Sequence, residues 1–456
     1  MSATTIIQKP RYPQVPVGSD IIFTVKNNTV VAQQVRVKFI AEVHISSGLP
    51  PNVSNANDLI GYFKTTPNNE GVGIFDLSSV LENYVKADNI AWSGSKYKLN
   101  TLPTNQDLPI HLIDEYSRNL NAIRYLAIQF KVEYFNEGTQ ELVTLDSVNS
   151  ESYKIINAYL KETDVLRFDG NDFGYWFKLF NPNHPDDKFL TNAPTTQYAN
   201  IEDYGTFAFF SHDDLVDYIN IKYYVGSSPV GQDTLIKFTN TGAYNTWTTD
   251  AEKQLLYFGI FPANLTGADL TVWMANYGDI TSYEVQAYAS GWVTQAYTIH
   301  VNCPDLKGYE SVRLTWLNQW GAWDYYTFTK KSSRTISTKG STYSQQRGTW
   351  NEGVFKLNGY KGGKKSFRIN ATENIKINTD FVDEATGVWF EELINSPEIY
   401  MLEGYQTDLS DSYLNNYVTP VRLTTSTYTK KTIANDRLMQ YTFEIEKTNT
   451  LRTQSI

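Results

Sequence analysis

Cysteine is nearly absent from this chain. Cys303 stands alone among 456 residues, which rules out an intramolecular disulfide and with it a secreted disulfide scaffold. Histidine is scarce: His44, His111, His184, His212 and His300 lie far apart and form no HExxH pair, so no metal site is expected. Only four methionines and few alanine-rich stretches weigh against a helical bundle. Long apolar runs are also missing. Segments such as Leu255-Leu256-Tyr257-Phe258-Gly259-Ile260-Phe261 are far too short to cross a bilayer, so no membrane partner is expected. Met1 to Ile7 lack the basic and apolar regions of a secretory signal, which points to a chain made and kept, or assembled, in the cytoplasm. Positive charge is in deficit. With 39 Lys and Arg against 49 Asp and Glu, the net charge of −10 argues against a nucleic-acid coat.

Catalytic motifs are equally sparse. No GxSxG elbow occurs, and Gly359-Tyr360-Lys361-Gly362-Gly363-Lys364-Lys365-Ser366 misses the phosphate-loop spacing by one residue, reading instead as a basic β-turn. Two acidic groups, Asp164, Asp169 and Asp172, then Asp213, Asp214 and Asp217, could in principle supply paired carboxylates. The first lacks the order and the distal Glu of a calcium loop, and both sit where turns are expected, so they read as turn formers. No catalytic residue, cofactor or metal ligand is assigned, and an enzyme is not expected.

What the chain does have is aromatic rings: 32 Tyr, 23 Phe and 10 Trp, 14% of all residues. Such residues favour strands and recognition surfaces. With 41% hydrophobic residues there is ample material for real cores. The fold class expected is mainly β: several antiparallel β-sandwiches, Ig-like or jelly-roll-like, with one or two short helices. At ~150 residues per domain the length suggests three.

The first, residues 1–160, opens with Pro10, Pro13 and Pro16 as an extended lead-in. Asp20 to Val25 and Val35 to Val43 read as strands separated by an Asn27-Asn28 turn. Leu77, Val80, Leu81, Tyr84 and Val85 then recur at helical spacing behind Asp76 or Ser78 as cap. Residues 86 to 118 read as a long loop, and Ile123 to Val132 as a strand followed by a turn at Asn136-Glu137-Gly138. The second domain, residues 161–303, has short strands at Tyr175 to Phe180, Gly205 to Phe210 and Tyr218 to Val225, with Asn181 to Asp187 as a loop. Cys303-Pro304 marks its end.

The third domain, residues 304–456, contains the two features that stand out. Trp316, Trp320 and Trp323 fall at i, i+4 and i+7, a helical spacing, but Gly321 and the surrounding β-formers favour strand–turn–strand. These rings could fill a core or a subunit interface, or form an exposed ligand platform. Next, residues 330 to 368 carry ten Lys and Arg against the single acid Glu352, a local charge of +9 that leaves −19 on the remaining chain. This stretch reads as solvated hairpin loops, as a tab for an acidic surface with Lys361, Lys364 and Lys365 at its centre, or as a nucleic-acid contact. In the last case Tyr343, Trp350, Phe355 and Tyr360 would be interleaved for stacking. A helix is expected near residues 383–395, with Phe381, Val388, Trp389, Leu393 and Ile394 on one face before Ser396-Pro397.

The run Arg313-Leu314-Thr315-Trp316-Leu317-Asn318-Gln319-Trp320-Gly321-Ala322-Trp323-Asp324-Tyr325-Tyr326-Thr327-Phe328 resembles a W-L-N-x-x-G-A-W-D-Y-x-T-F signature of structural proteins in tailed bacteriophages. These phages infect Bacteroidota and marine bacteria and include the crAss-like phages. Glu391 to Tyr400, Thr419 to Leu423, Tyr428 to Lys431 and Gln440 to Glu446 are similar to the closing segment of the same proteins. The resemblance implies a virion component, tail-associated, such as a ring, adaptor or sleeve subunit. It would be assembled in the cytoplasm of the bacterial host, with copies of itself and other virion proteins as partners. It transfers no catalytic residue. The alternative is a glycan- or receptor-binding module at a fibre base, with a glycan on exposed Trp and Tyr.

Overall fold

A computed structural model describes residues 3–95, 107–161, 189–210, 218–237, 255–265, 275–276, 278–289, 292–302, 308–350, 352–403, 417–429 and 439–448. The fold is mainly β, with 50% strand against 9% helix. Among the described strand pairs, pairing is antiparallel except at two sheet edges, where Lys154–Ile156 runs parallel to Gln14–Pro16 and Thr196–Asn200 to Thr298–Asn302. The chain divides into two compact units. One comprises Met1–Cys303, Leu317–Asp324 and Tyr405–Leu414; the other comprises Pro304–Trp316, Tyr325–Gly404 and Asn415–Ile456.

In the first unit, a three-stranded sheet (Thr5–Gln8, Ile22–Lys26, Val72–Asp76) covers a larger one. The larger sheet is ordered Gln14–Pro16, Tyr153–Ile156, Ile123–Asn136, Val35–Ser46, Leu59–Thr65. Alternation explains the pairing. Phe23 and Val25 from one sheet, and Phe39, Ala41, Val43, Ile128 and Phe130 from the other, point into a shared core while their sequence neighbours point away. Phe130 meets Phe23 at 5.7 Å and Phe75 at 5.6 Å between ring centroids. Gly73 has no room for a side chain, because a Cβ there would lie 2.5 Å from the Phe39 ring.

Local chemistry departs from the expected turns in three places. Asn27 does not open a turn. It caps the helix Asn28–Gln33, its Oδ1 accepting from Val30 N at 3.1 Å. The amphipathic segment after Asp76 forms only the helix Ser78–Leu81, then tightens into a 3-10 turn at Glu82–Tyr84. That tightening swings Tyr84 out to 38% exposure while Leu77, Leu81 and Val85 stay buried. Residues 86–118 are not all loop: Ile110–Leu112 is a 3-10 turn and Tyr116–Arg118 a strand. The hairpin after Ile123–Asn136 forms as expected, but Gln140 rather than Gly138 takes the left-handed conformation, at φ 58°.

Two further sheets complete this unit. One is ordered Thr196–Asn200, Tyr297–Asn302, Ser282–Ala289, Tyr218–Val225, Ser228–Lys237. The other joins Thr206–Phe210, Leu255–Gly259 and Tyr116–Arg118, so a strand from the first hundred and twenty residues completes a sheet made mostly from residues beyond 200. Phe189, Phe207, Phe258 and Tyr297 fill the space with centroids 5.2–6.4 Å apart. The expected strand at 175–180, the loop at 181–187 and both aspartate groups lie outside the described residues.

The second unit is built on a seven-stranded sheet, ordered Trp323–Phe328, Val312–Leu317, Ile399–Leu402, Val418–Leu423, Thr442–Lys447, Gly363–Asn378, Ser333–Gln345, of which Leu317, Trp323 and Asp324 count with the first unit. The helix Glu384–Asn395 packs Trp389, Phe390 and Leu393 onto it. Asp383 caps that helix, accepting from Thr386 N at 2.9 Å. Its buried face is rotated from the expected one. Phe381 precedes the cap and Val388 falls off the stripe, leaving them 59% and 50% exposed.

Candidate functional site

The tryptophan signature forms strand–turn–strand, and its three rings are covered by the chain itself. Trp316, Trp320 and Trp323 are 0%, 6% and 2% exposed. They do not share a location. Trp316 lies in the second unit, with its ring 4.8 Å from that of Trp389. Trp320 and Trp323 belong to the turn that packs in the first unit.

That turn is built by side-chain chemistry. Asn318 Oδ1 accepts from Trp320 N at 3.0 Å and Ala322 N at 3.1 Å, fixing the backbone as a loop around one amide. Its Nδ2 donates to Leu190 O at 2.8 Å and to Asp324 Oδ1 at 3.0 Å. Asp324 Oδ1 also accepts from Thr191 Oγ1 at 2.6 Å. Gly321 sits at φ 78°, and a Cβ on it would lie 2.0 Å from the Asn157 carbonyl oxygen, so glycine alone fits. Trp323 Nε1 donates to Asp88 O at 2.8 Å, and its ring meets His111 edge-on at 5.1 Å. The Tyr159 amide donates to Gln319 O at 2.8 Å. Asn318, Gly321, Trp323 and Asp324 therefore tie the turn to distant segments of the first unit.

The Asp88 carboxyl, on the residue whose carbonyl holds Trp323, is perturbed by its surroundings. Burial pushes its pKa up to about 6, opposed by the amides of Asn121 and Leu120, which donate to Oδ1 at 2.7 and 3.1 Å. Tyr297 is likewise pushed upward, by burial and then by the Asp324 carboxylate.

The basic stretch is a different structure altogether. Ser333–Gln345 and Gly363–Asn378 pair along their full length as one hairpin at the edge of the seven-stranded sheet. The neighbouring strand Thr442–Lys447 pairs only with Asn374–Asn378. Among the described residues, 363–373 therefore pair only with the other hairpin strand, a ribbon roughly 35 Å long at ~3.4 Å per residue. Both faces meet solvent, and Ile336, Phe367 and Ile369 are exposed. At the root, Arg334 pairs with Glu373 at 2.9 Å and with Glu310, which together hold its guanidinium charged.

The tip of this arm, described at residues 346–350 and 352–362, is folded. Thr349 is buried; its hydroxyl donates to Val354 O at 3.2 Å and accepts from Lys356 N at 2.9 Å. Trp350 Nε1 donates to Arg347 O at 2.6 Å, and the Trp350 and Phe355 rings lie 5.1 Å apart. Lys361 approaches Glu352 at 3.8 Å, Lys365 Nζ donates to Tyr360 O at 2.6 Å, and Lys364 is exposed on the first residues of the returning strand. Yet Trp350, Val354, Leu357 and Tyr360 are 69–72% exposed. Sequence reading found the charge of this region and the rings Trp350, Phe355 and Tyr360, but not that they join Val354 and Leu357 in a folded knob. The paired glycines Gly362 and Gly363, at φ 103° and 81°, were the signal that the loop turns back into a strand there.

No protein-family model matches this chain, and no curated protein sequence matches it.

Proposed function

We propose that this chain is a structural component of a tailed-phage virion, a tail-associated ring, adaptor or sleeve subunit that works by oligomeric assembly. The arm carries the reading. A folded, solvent-facing apolar tip on a long β-ribbon is costly to leave in water and makes sense where another surface covers it. The resemblance of Arg313 to Phe328 and of the closing segment to phage structural proteins points the same way. A glycan platform on Trp316, Trp320 and Trp323 draws no support from rings that the chain itself covers. Mass spectrometry of particles purified from a lysate that contains this chain tests the proposal. Co-purification at a fixed ratio to other particle proteins is expected. A chain found only in the soluble fraction, with none in intact particles, would refute it.

A further inference from the structure

We propose that the arm is a docking element for a second copy of this chain, head-to-tail: its basic ribbon is drawn to that copy's net negative charge and its apolar tip is covered by that copy. The inference rests on the assembly reading and adds the partner and the residues that hold it.

Three observations select this occupant. The tip is preformed by the Thr349, Trp350 and Gly362 hydrogen bonds, so little conformational freedom is lost when it docks. It mixes aliphatic Val354 and Leu357 with aromatic Trp350 and Tyr360, which suits an apolar pocket better than a stack of bases. The charge is divided within one chain: +9 over residues 330 to 368 and −19 elsewhere. A second copy therefore presents the opposite sign to every arm in equal number. Like copies bound through unlike patches form a heterologous contact, which closes into a ring or extends as a filament.

The two parts of the arm have separate duties. Lys339, Lys364, Lys365 and Arg368 along the ribbon steer the approach and weaken with salt, since the screening length falls from ~10 Å at 0.1 M to ~3 Å at 1 M. The knob holds the docked state.

The test uses the full chain in three forms: wild type, a tip variant (Trp350→Ser, Leu357→Ser, Tyr360→Ser) and a charge variant (Lys361→Glu, Lys364→Glu, Lys365→Glu). Self-association is read by sedimentation velocity up to ~100 μM in 0.1 and 1 M NaCl, and incorporation is read in purified particles. All six substituted side chains are solvent-facing or at the surface, so melting temperatures should match wild type. Wild type should associate, at least tenfold more weakly in 1 M salt, and both variants should associate at least tenfold more weakly than wild type. Because a tip variant keeps its acceptor surface, adding it to wild type should shorten wild-type assemblies, a result that a symmetric two-arm contact would not give. A wild type that stays monomeric throughout, with variants still excluded from particles, would overturn self-docking and leave the assembly reading intact. Variants that enter particles normally would overturn the arm's role altogether. Binding of wild type to anionic vesicles or single-stranded DNA without self-association would also overturn the proposal.

Discussion

Removing the Trp323 ring should unfold the first unit more readily than any change at an exposed tryptophan. The side chain is 2% exposed, and its indole N–H is held by the Asp88 carbonyl at 2.8 Å. Trp323→Ala loses a fully packed ring, which costs about 3–5 kcal/mol in comparable cores. It also orphans a buried carbonyl, adding about 1–3 kcal/mol. Trp323→Phe keeps most of the ring and loses the hydrogen bond, so it should fall between alanine and wild type. Trp350→Ala is the internal control: at 70% exposure it should change stability by no more than about 0.5 kcal/mol. Urea unfolding followed by far-ultraviolet circular dichroism gives midpoint and slope for all four proteins. Equal midpoints for Trp323→Ala and Trp350→Ala at unchanged slope would refute the claim that the signature turn holds the first unit together.

Gly321→Ala should destabilise by several kcal/mol, since it combines a left-handed residue, worth ~1–2 kcal/mol, with a steric clash at Asn157; a variant with wild-type melting would contradict this. Trp320→Ala should cost roughly 3–5 kcal/mol and impair folding before any sugar binding; glycan binding lost at unchanged stability would favour the lectin alternative. Asp88 makes stability depend on pH: with a folded pKa of about 6 against 3.8 unfolded, the folded state binds more protons between those values. Stability should therefore fall as pH rises from about 4 to 6 and then level off, and Asp88→Asn should flatten that slope in urea midpoints; an identical slope in the variant would refute the assignment. Screening the protein against polysaccharides, peptidoglycan and nucleotides should give no turnover above buffer, and an activity lost in a single Asp or Glu variant would overturn the structural-protein reading.

The sheets were legible where one face is buried. In Val35–Ser46, Phe39, Ala41 and Val43 alternate with Lys38, Glu42 and His44, and period two is visible despite Ile40. The arm strand Ser333–Gln345 has no buried face, so Ser, Thr, Lys and Gly follow one another without alternation and the stretch reads as loop. Asn27 was ambiguous for a chemical reason: the same side chain that bends a turn also caps a helix, and only Val30 folding beneath it decides. The tryptophan spacing suggested a helix that Gly321 and the β-formers outweighed, left burial and an exposed platform both open, and gave no hint that Trp316 and Trp323 lie in different units, because partners such as Asp88 and Asn157 are more than a hundred residues away. The charge of the arm was plain from composition; its exposed knob depended on Thr349 organising the loop.

The signature turn also fixes the order in which this protein can mature on the ribosome. Leu317–Asp324 packs among residues that include 88, 111, 157, 159 and 190. A nascent chain ending at Cys303 thus lacks the piece that binds these segments to one another, although nearly all of the first unit has been made. Binding these segments to one another awaits residue 324, a loop closure of very long range and correspondingly slow. Until then Asp88 and the apolar surface around it lack their cover, so chaperones and proteases meet an unfinished core. A fragment cut at the apparent boundary should behave as a folding intermediate rather than as a domain.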